Sequence, residues 1–455
     1  MSEQADVVVI GMGPGGEEVA GALAGAGLDV VGVDRHLVGG ECPYWGCVPS
    51  KMAIRAGNLI AESRRVPGVA GDATVTPDWG PVARRIREEA TDDWDDRVAV
   101  ERFEGKGGRF VRGEGRLIGP GRVQVGDREI EVAKATVVAT GMQPSIPPIA
   151  GLSDIPYWTN REAMEAKDVP SSLVVLGGGA IGAELGQVFA RFGSRVTIVE
   201  AAERLLPLDE PEAGDIVAAV LAAEGVDVRL GAGAQRVERD GRRFAVVLDG
   251  DDAVTGEQVL VATGRRADPA AVGLDAVGLP PGARVVPVDE HLRVVPGVWA
   301  VGDVTGKGAF THVAMYQARI AVADILGRPH EPADYRALPR VTFTDPEVGS
   351  VGMTQDEACR AGLEVLVGRA SVPSSARGWI HKAGNDGLIK LVADGARGVL
   401  VGAMSSGPAG GEVLGLLALA IHAEVPVARM REMIYAYPTF HRAVEDALRD
   451  LAPAR

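Results

Sequence analysis

The sequence predicts an α/β protein of several domains in which one strand–helix–strand unit occurs twice. With 455 residues, the chain is longer than a single core normally serves, so two to four domains are expected. An apolar strand, a glycine-rich turn, a helix, a second strand and an acidic residue follow one another twice, with the same internal spacing. The 61 glycines and the low aromatic content suit the tight turns of such a fold.

The first copy of this unit opens the chain. An apolar run from Ala5 to Ile10 leads into a glycine-rich turn and a helical pattern, and the second strand ends at Asp34. Glycines let a backbone approach a pyrophosphate at a helix N-terminus, and an acid at the strand end can accept hydrogen bonds from a ribose. The pattern predicts a Rossmann-like dinucleotide site built from Gly11, Gly13, Pro14, Gly15, Gly16 and Asp34.

The second copy lies in the middle of the chain. Glu200 follows Gly177 by 23 positions, the interval that also separates Asp34 from Gly11. A second dinucleotide site is predicted, and a Rossmann unit without a ligand is the alternative. The acid favours NADH, because it would bond the ribose 2′-hydroxyl and repel a 2′-phosphate, while Arg204 leaves room for NADP. The residues of this site are Gly177, Gly179, Ala180, Ile181, Gly182 and Glu200.

Two of the three cysteines, Cys42 and Cys47, lie five positions apart just after the first copy. On an ideal helix their Cα atoms would be about 8.7 Å apart, whereas a disulfide needs roughly 4.4–6.8 Å. Pairing would therefore need a distorted backbone, which Pro43 and Gly46 permit. Two unrelated buried thiols are the alternative. No further metal ligands accompany the pair, so no metal site is expected there.

The stretch that contains these cysteines, GGECPYWGCVPSK, resembles the active-site motif of the class I FAD-dependent pyridine nucleotide-disulfide oxidoreductases. This family includes dihydrolipoamide dehydrogenase, glutathione reductase and mercuric reductase. The resemblance implies a redox-active Cys42–Cys47 disulfide, with Cys47 against the flavin and Cys42 facing the substrate. It implies that Lys51 lies near the flavin, paired with Glu184. The cofactors would be FAD in the first site and NAD(P)H, with NADH favoured, in the second.

Further cofactor contacts follow from the same resemblance. The run Ala139, Thr140 and Gly141 would lie against FAD, and Asp303 would accept a hydrogen bond from its ribityl chain. Ala180 stands where some relatives carry a tyrosine over the flavin. The other implied contacts are Arg35, Gly40, Glu41, Gly115, Gly264, Gly302, Phe310, Thr311 and His312.

The resemblance also gives a domain plan: two Rossmann-like dinucleotide-binding domains plus a C-terminal α+β dimerisation domain. Residues 1–148 would bind FAD, 149–266 would bind NAD(P), 267–335 would continue the FAD domain, and 336–455 would form the dimerisation domain. A homodimer is implied, because the partner's C-terminal segment completes the active site in relatives.

Helical patterns fill several stretches between the motifs. Lys51–Arg65 and the strongly charged Trp79–Val100 are each predicted to be one helix, the second with a solvated face. Gln355–Ala361 is an amphipathic helix that carries Cys359, for which a structural role is expected. Glu412–Ala423 is apolar enough to be a buried helix.

The C-terminal segment departs from the family. Disulfide reductases carry a His-Pro-Thr segment with a glutamate five residues after the histidine, but Tyr437 and Arg442 occupy these positions here. A phenol with a pKa near 10 is a poor base at neutral pH. Mercuric reductases share the tyrosine but add a C-terminal cysteine pair, which is lacking here. If a helix begins after Pro438, His441 and Glu445 would form a displaced proton-transfer pair or an exposed ion pair.

Charge and hydropathy restrict the function. The net charge of −15 without a basic run argues against nucleic acid, and no apolar stretch reaches the length of a membrane span. Acidic residues precede the first strand, so a cytoplasmic enzyme is expected rather than a secreted one. The leading hypothesis is an NAD(P)H-dependent flavoenzyme that passes electrons through the cysteine pair to a disulfide or thiol-reactive acceptor. The alternatives are direct flavin reduction of quinones or metal ions, and a non-catalytic NAD(H)-binding redox sensor.

Overall fold

The computed structural model describes residues 3–280 and 282–454 of the chain. Its strands are β1 Glu3–Ile10, β2 Val30–Asp34, β3 Arg109–Arg112, β4 Gly115–Gly119, β5 Arg122–Val125, β6 Arg128–Val138, β7 Gln143–Pro144, β8 Ser172–Leu176, β9 Arg195–Val199, β10 Asp227–Arg229, β11 Ala234–Asp240, β12 Arg243–Leu248, β13 Ala253–Gly256, β14 Gln258–Val261, β15 Arg265–Arg266, β16 Arg293–Val295, β17 Val298–Ala300, β18 Pro339–Thr342, β19 Glu347–Gly352, β20 Val365–Ser371, β21 Leu388–Asp394, β22 Val399–Gly407 and β23 Ala452–Pro453. Its α-helices are α1 Pro14–Gly25, α2 Glu41–Tyr44, α3 Cys47–Arg65, α4 Gly80–Arg85, α5 Arg97–Glu104, α6 Asn160–Glu165, α7 Ala180–Arg191, α8 Pro211–Ala223, α9 Thr311–Ile325, α10 Gln355–Arg360, α11 Ala376–His381, α12 Gly410–His422, α13 Val427–Arg431 and α14 Ala443–Arg449. In this described part, no helix is long and apolar enough to cross a membrane.

The chain divides into two compact units, and the first comprises Met1–Ser50, Arg84–Ser145 and Gly264–Asp334. Its main sheet has the order β16-β17-β6-β1-β2-β3, and β1 is parallel to both neighbours. Alternate residues of β1 enter two cores on opposite faces of the sheet: Val7 and Val9 lie in one, Val8 and Ile10 in the other. The continuous apolar run of β1 is therefore explained by burial on both faces, as in other parallel sheets.

The second unit comprises Lys51–Ala83, Ile146–Thr263 and Tyr335–Arg455. It contains a parallel sheet of order β10-β9-β8-β14, and an antiparallel one of order β18-β19-β22-β21-β20-β23. Leu414 and Leu417 of α12 pack with Leu391 of the antiparallel sheet in one core. The mixed sheet of the first unit, the parallel sheet of the second and this antiparallel sheet, together with their packed helices, form the α/β architecture that the sequence predicts.

The unit boundaries fall close to the predicted domain boundaries, with one exception. The chain changes unit between residues 145 and 146, 263 and 264, and 334 and 335, each within three residues of the predicted limits. Lys51–Ala83, however, belongs to the second unit, although it was assigned to residues 1–148. The division into four functional domains stays a prediction.

The charged segment predicted as a single helix over Trp79–Val100 is interrupted. Helix α4 ends at Arg85, a wider turn covers Ile86–Ala90, and α5 begins only at Arg97. Asp92, Asp93 and Trp94 have φ values of 48°, 57° and 59°. The Thr91 hydroxyl donates to the Arg87 carbonyl and accepts from the Trp94 amide, so a side chain takes over backbone hydrogen bonds and ends the helix.

We predict that Gly16→Ala destabilises the protein, whereas Gly25→Ala, in the same helix α1, does not. An added Cβ at Gly16 would lie 1.9 Å from the Gly11 carbonyl oxygen, but at Gly25 it meets nothing within 4 Å. Overpacking of this kind costs about 1–3 kcal/mol, whereas alanine at an unstrained glycine stabilises by up to about 1 kcal/mol. Thermal melts of both variants measure the difference. Equal melting temperatures would contradict this account of the turn.

Candidate active site

The glycine loop between β1 and α1 is shaped by its own backbone. An added Cβ at Gly11, where φ is +96°, would lie 2.5 Å from the Ala139 carbonyl oxygen. At Gly13 the nearest atom, the Cα of Gly40, is 4.0 Å away, so packing within the chain does not require a glycine there. Pro14 occupies the first turn of α1, where a missing amide hydrogen costs little. Open space before a helix N-terminus fits a pyrophosphate.

The acid at the end of β2 holds this loop in place. The Asp34 carboxylate accepts the Met12 and His36 amides through its two oxygens, each at 2.7 Å. A carboxylate oxygen has more than one lone pair, so Asp34 keeps capacity for ribose hydroxyls. Arg35 instead forms a surface ion pair with Glu114, 2.7 Å apart. Gly40 flanks the loop, since a Cβ there would approach the Gly13 Cα to 2.9 Å.

The two cysteines lie on different helices. The Glu41 carbonyl accepts the amides of both Trp45 and Gly46, at 2.9 and 2.6 Å, which closes α2 before α3 begins at Cys47. This break brings the side chains of Cys42 and Cys47 into hydrogen-bonding contact in the dithiol form. The predicted disulfide stays a prediction, and the expected distortion at Gly46 is present.

Thr311 adds a third polar group to the thiols. Its Oγ1 lies 3.5 Å from the Cys47 sulfur, and Thr311 is the first residue of α9. The rings of Phe310 and His312, the residues on either side of Thr311, stack with their centroids 5.2 Å apart. The sulfur pair therefore lies at the end of a helix whose N-terminus favours negative charge.

The pKa of Cys42 is raised above its ordinary value, chiefly by the hydrogen bond with Cys47 and then by burial. The charge of an ionised Cys47 raises it further. Coupled thiols lose their protons in two steps that belong to the pair. Removal of the second proton from the pair is therefore unfavourable.

Two half-buried charged groups, Asp303 and Arg265, lie in the same unit. Burial raises the pKa of Asp303, and the charge of Arg265 partly offsets this effect. Arg265 donates to the Met142 carbonyl at 2.6 Å and lies 3.7 Å from Glu41, but within the described residues its buried Nε has no hydrogen-bond partner. A buried donor atom without a partner, near a half-buried carboxylate, fits the polar groups of a bound cofactor. Sequence reasoning missed Arg265, although it directly follows the Ala-Thr-Gly repeat at 262–264.

A second missed residue, Gln317, fixes the turn that carries Asp303. Its side chain is fully buried, accepts the Gly302 amide at 2.6 Å and donates to Thr305 Oγ1 at 3.1 Å. No sequence signal marked it, because a glutamine in a helix is usually exposed.

The second unit repeats the glycine-loop geometry. At Gly177 and Gly182, added Cβ atoms would lie 2.5 and 1.9 Å from carbonyl oxygens, whereas at Gly179 nothing lies within 4 Å. Glu200 accepts the Gly178 and Ala202 amides at 2.6 and 2.7 Å. Ala180 is exposed as the first residue of α7 and is followed by Ile181. Both copies therefore leave the second glycine of the loop open for a ligand.

The structure brings Lys51 and Glu184 together in the second unit. The Lys51 ammonium lies 2.8 Å from one oxygen of Glu184 and 4.6 Å from the centroid of the Phe343 ring. The other oxygen accepts the Phe343 amide at 2.8 Å. Glu184 is 7% exposed and Lys51 34%, so the carboxylate is fixed while the ammonium stays accessible.

The remaining predicted positions are distributed along both units. Thr140 and Gly141 follow β6, Gly115 begins β4, and the Gly264 carbonyl accepts the Ser145 amide. Tyr437 is 74% exposed. The helix that would place His441 and Glu445 on one face does not begin directly after Pro438: a short 3-10 turn covers Phe440–Arg442, and α14 begins at Ala443. Glu445 pairs with Arg442 and Arg449 rather than with His441.

Family models match most of the chain. The model of the pyridine nucleotide-disulphide oxidoreductases matches residues 5–318, and that of the dimerisation domain of the same family matches residues 338–448. These matches cover the segments that carry both glycine loops and the cysteine pair.

Curated relatives and solved structures agree with this assignment. The chain is 33% identical to a dihydrolipoyl dehydrogenase of Chlorobaculum tepidum over 99% of this chain and 97% of the relative. It is 31% identical to a mercuric reductase of Bacillus cereus, over 97% of this chain and 71% of the relative. The Cu(II) complex of the HOCl-induced flavoprotein disulfide reductase RclA from Escherichia coli superposes with a TM-score of 0.86 at 25% identity, covering 99% of both chains.

The raised pKa of Cys42 predicts slow labelling that accelerates with pH. Because the reactive thiolate is scarce below a raised pKa, alkylation of Cys42 in the reduced protein should rise about tenfold per pH unit from pH 6.5 to 9. Cys47→Ser removes the charge and the thiol partner that raise the pKa, so labelling at pH 7.5 should become at least threefold faster. Mass spectrometry measures both rates, with Cys359 as the internal control. A plateau below pH 8 would contradict the raised pKa.

Proposed function

Because the chain belongs to the pyridine nucleotide-disulphide oxidoreductase family, we propose that it is an FAD-dependent NADH oxidoreductase with a redox-active cysteine pair. Cys42 and Cys47 would reduce a disulfide or another thiol-reactive acceptor. The observation that carries the proposal is the contact between the two thiols beside Thr311, at the first turn of α9. Two thiols that only fill a core would not require a polar neighbour such as Thr311, and Cys47 would not be exposed.

The first unit supplies the groups that would hold FAD. Gly11 to Gly16 and Asp34 would receive the pyrophosphate and a ribose, and Asp303 and Arg265 would meet polar groups of the cofactor. When bound, FAD supplies two-electron exchange between a nicotinamide and a thiol pair. Lys51, fixed by Glu184, would stabilise negative charge that develops near it.

The cysteine chemistry is a balanced thiol–disulfide exchange. The Cys42 thiolate attacks one sulfur of the acceptor disulfide, and the other sulfur leaves as a thiolate that takes up a proton. Cys47 then attacks the Cys42 sulfur, which forms the Cys42–Cys47 bond and releases the second thiol. One dithiol is oxidised for each acceptor disulfide reduced. The proton that Cys42 must lose first makes this step dependent on a base.

The second unit supports NADH as the electron donor. Glu200 stands where an acid bonds the ribose 2′-hydroxyl. Arg204, the residue that could have received a 2′-phosphate, donates to the backbone carbonyls of Pro207 and Asp209 at 2.9 and 3.1 Å. Its guanidinium is thus already engaged within its own loop, which favours NADH over NADPH.

A second candidate function is direct reduction of a quinone or a metal ion by the flavoenzyme. Tyr437 and Arg442 replace the histidine and glutamate that disulfide reductases use, and Arg442 neutralises Glu445. Similarity to mercuric reductases and to a reductase solved as a Cu(II) complex also favours metal ions. Thiolates are suitable ligands for such soft ions, so Cys42 and Cys47 could bind the acceptor itself.

The assembly that we propose is a homodimer. The dimerisation domain of the family is present at residues 338–448. In the same segment Trp379, Ile434 and Leu419 are 75%, 96% and 62% exposed. Large apolar side chains with such exposure are typical of surfaces that a partner covers.

The thiol route predicts a loss of disulfide turnover without loss of cofactors. Cys42→Ser should retain FAD and NADH binding but reduce disulfides at least 1,000-fold more slowly, because no sulfur attacks the acceptor. The Cys42→Ser, Cys47→Ser variant discriminates the second candidate. If it keeps quinone reduction within fivefold of the parent while the parent reduces no disulfide, direct reduction by the flavin is the function. Steady-state rates over a panel of disulfides, quinones and metal ions measure this.

The nicotinamide preference predicts an effect of Glu200→Gln. The variant removes the charge that would repel a 2′-phosphate, so the kcat/KM ratio of NADH to NADPH should fall about tenfold. Asp34→Asn is the matched control in the other copy; it should weaken FAD retention and leave that ratio unchanged. An equal shift of the ratio in both variants would refute the assignment of Glu200.

A further inference from the structure

Two histidines and an aspartate converge in the first unit at the C-terminal end of α9. His291 Nδ1 lies 3.0 Å from His330 Nε2, and His330 Nε2 lies 3.8 Å from Asp324 Oδ1. One ligand atom from each residue lies within 4.8 Å of the others. Asp324 follows Thr311 by 13 positions of the same helix, which is about 20 Å along its axis. The cluster is therefore separate from the thiols.

The outer nitrogens of both rings face acceptors. His330 Nδ1 lies 3.0 Å from the Arg328 carbonyl oxygen, which can only accept, so the lone pair of the neutral ring lies on Nε2. His291 Nε2 lies 3.7 Å from the Glu290 carboxylate, which favours a proton on that nitrogen and a lone pair on Nδ1. Histidines that bind metals are oriented in this way by a carbonyl or carboxylate behind the ring.

The two inner nitrogens are then acceptors that face each other, and Asp324 Oδ1 beside them already accepts from the Arg293 guanidinium at 2.5 Å. A shared proton would satisfy the two imidazoles alone, whereas a divalent ion would satisfy both and would also use a remaining lone pair of Oδ1. Tetrahedral Zn²⁺ with bonds of about 2.0–2.1 Å separates its ligand atoms by about 3.3 Å, which lies between the observed 3.0 and 3.8 Å. The geometry points to a Zn²⁺ site formed by His291, His330 and Asp324, with solvent as the fourth ligand.

Hydrogen bonds from neighbouring residues fix the positions of the proposed ligands His291 and Asp324 in the absence of metal. Asp289 accepts the amides of His291 and Arg293 at 2.8 and 2.9 Å. Asp324 is itself oriented by Trp299 Nε1, which donates to Oδ2 at 2.8 Å, and by the Arg293 guanidinium. The positive charge of Arg293 opposes a cation, so the expected affinity is micromolar rather than that of a structural zinc site.

The test is Zn²⁺ binding to untagged, chelator-treated protein that carries serine at all three cysteines, so that thiols do not contribute. Equilibrium dialysis with elemental analysis should find one Zn²⁺ per chain at micromolar free metal. His330→Gln should weaken binding at least tenfold, and Glu290→Gln less. His422→Gln, at an exposed histidine that ends α12, is the matched control and should bind as the parent does.

Thermal stability gives an independent readout. Zn²⁺ should raise the melting temperature of the parent but not of His330→Gln, measured against the metal-free melt of each. If His330→Gln does not fold, His291→Gln takes its place. Absence of binding by the parent, or equal binding by His330→Gln and the parent, overturns the proposal.

Discussion

A hydrogen bond between a strand-end carboxylate and the amide of a glycine loop is present in both copies of the strand–helix–strand unit. Asp34 holds the Met12 amide at 2.7 Å, and Glu200 holds the Gly178 amide at 2.6 Å. Each bond joins the second strand to the loop that precedes the helix, so the loop keeps its shape without a ligand. Charge-assisted bonds of this kind are stronger than neutral ones, and a preorganised loop lowers the entropic cost of binding.

The sulfur pair depends on the same framework. Gly40 packs against Gly13 of the first loop, and the two residues that follow it are Glu41 and Cys42. On the other side, Gln317 of α9 accepts the Gly302 amide in a buried hydrogen bond, and Thr311 of the same helix contacts Cys47. The segment of Cys42 is thus joined to the first glycine loop by packing, and the helix that contacts Cys47 is joined to the Gly302 turn by a hydrogen bond.

Local sequence patterns predicted many of the helix and strand limits. The contacts between residues far apart in the chain could not be predicted from such patterns. Helix α3 ends at the predicted Arg65 and α10 begins at the predicted Gln355, because both elements follow from local hydrophobic periodicity. Arg265 escaped prediction because its partner, Met142, is 123 positions away. The helix predicted over Trp79–Val100 failed for a different reason: the Thr91 hydroxyl competes for backbone bonds, and periodicity does not register that competition.

Proton supply, rather than the electron path, distinguishes the acceptors that suit this site. Reduction of a disulfide needs Cys42 to lose a proton and the departing thiolate to gain one, but the hydrogen bond to Cys47 raises the pKa of Cys42. A histidine and a glutamate would manage these protons in disulfide reductases. Here Glu445 is neutralised by two arginines, and Tyr437 is exposed with a phenol in place of an imidazole. In the proposed function, a metal ion would displace the thiol protons on binding and would need no such base, whereas an unactivated disulfide would need one.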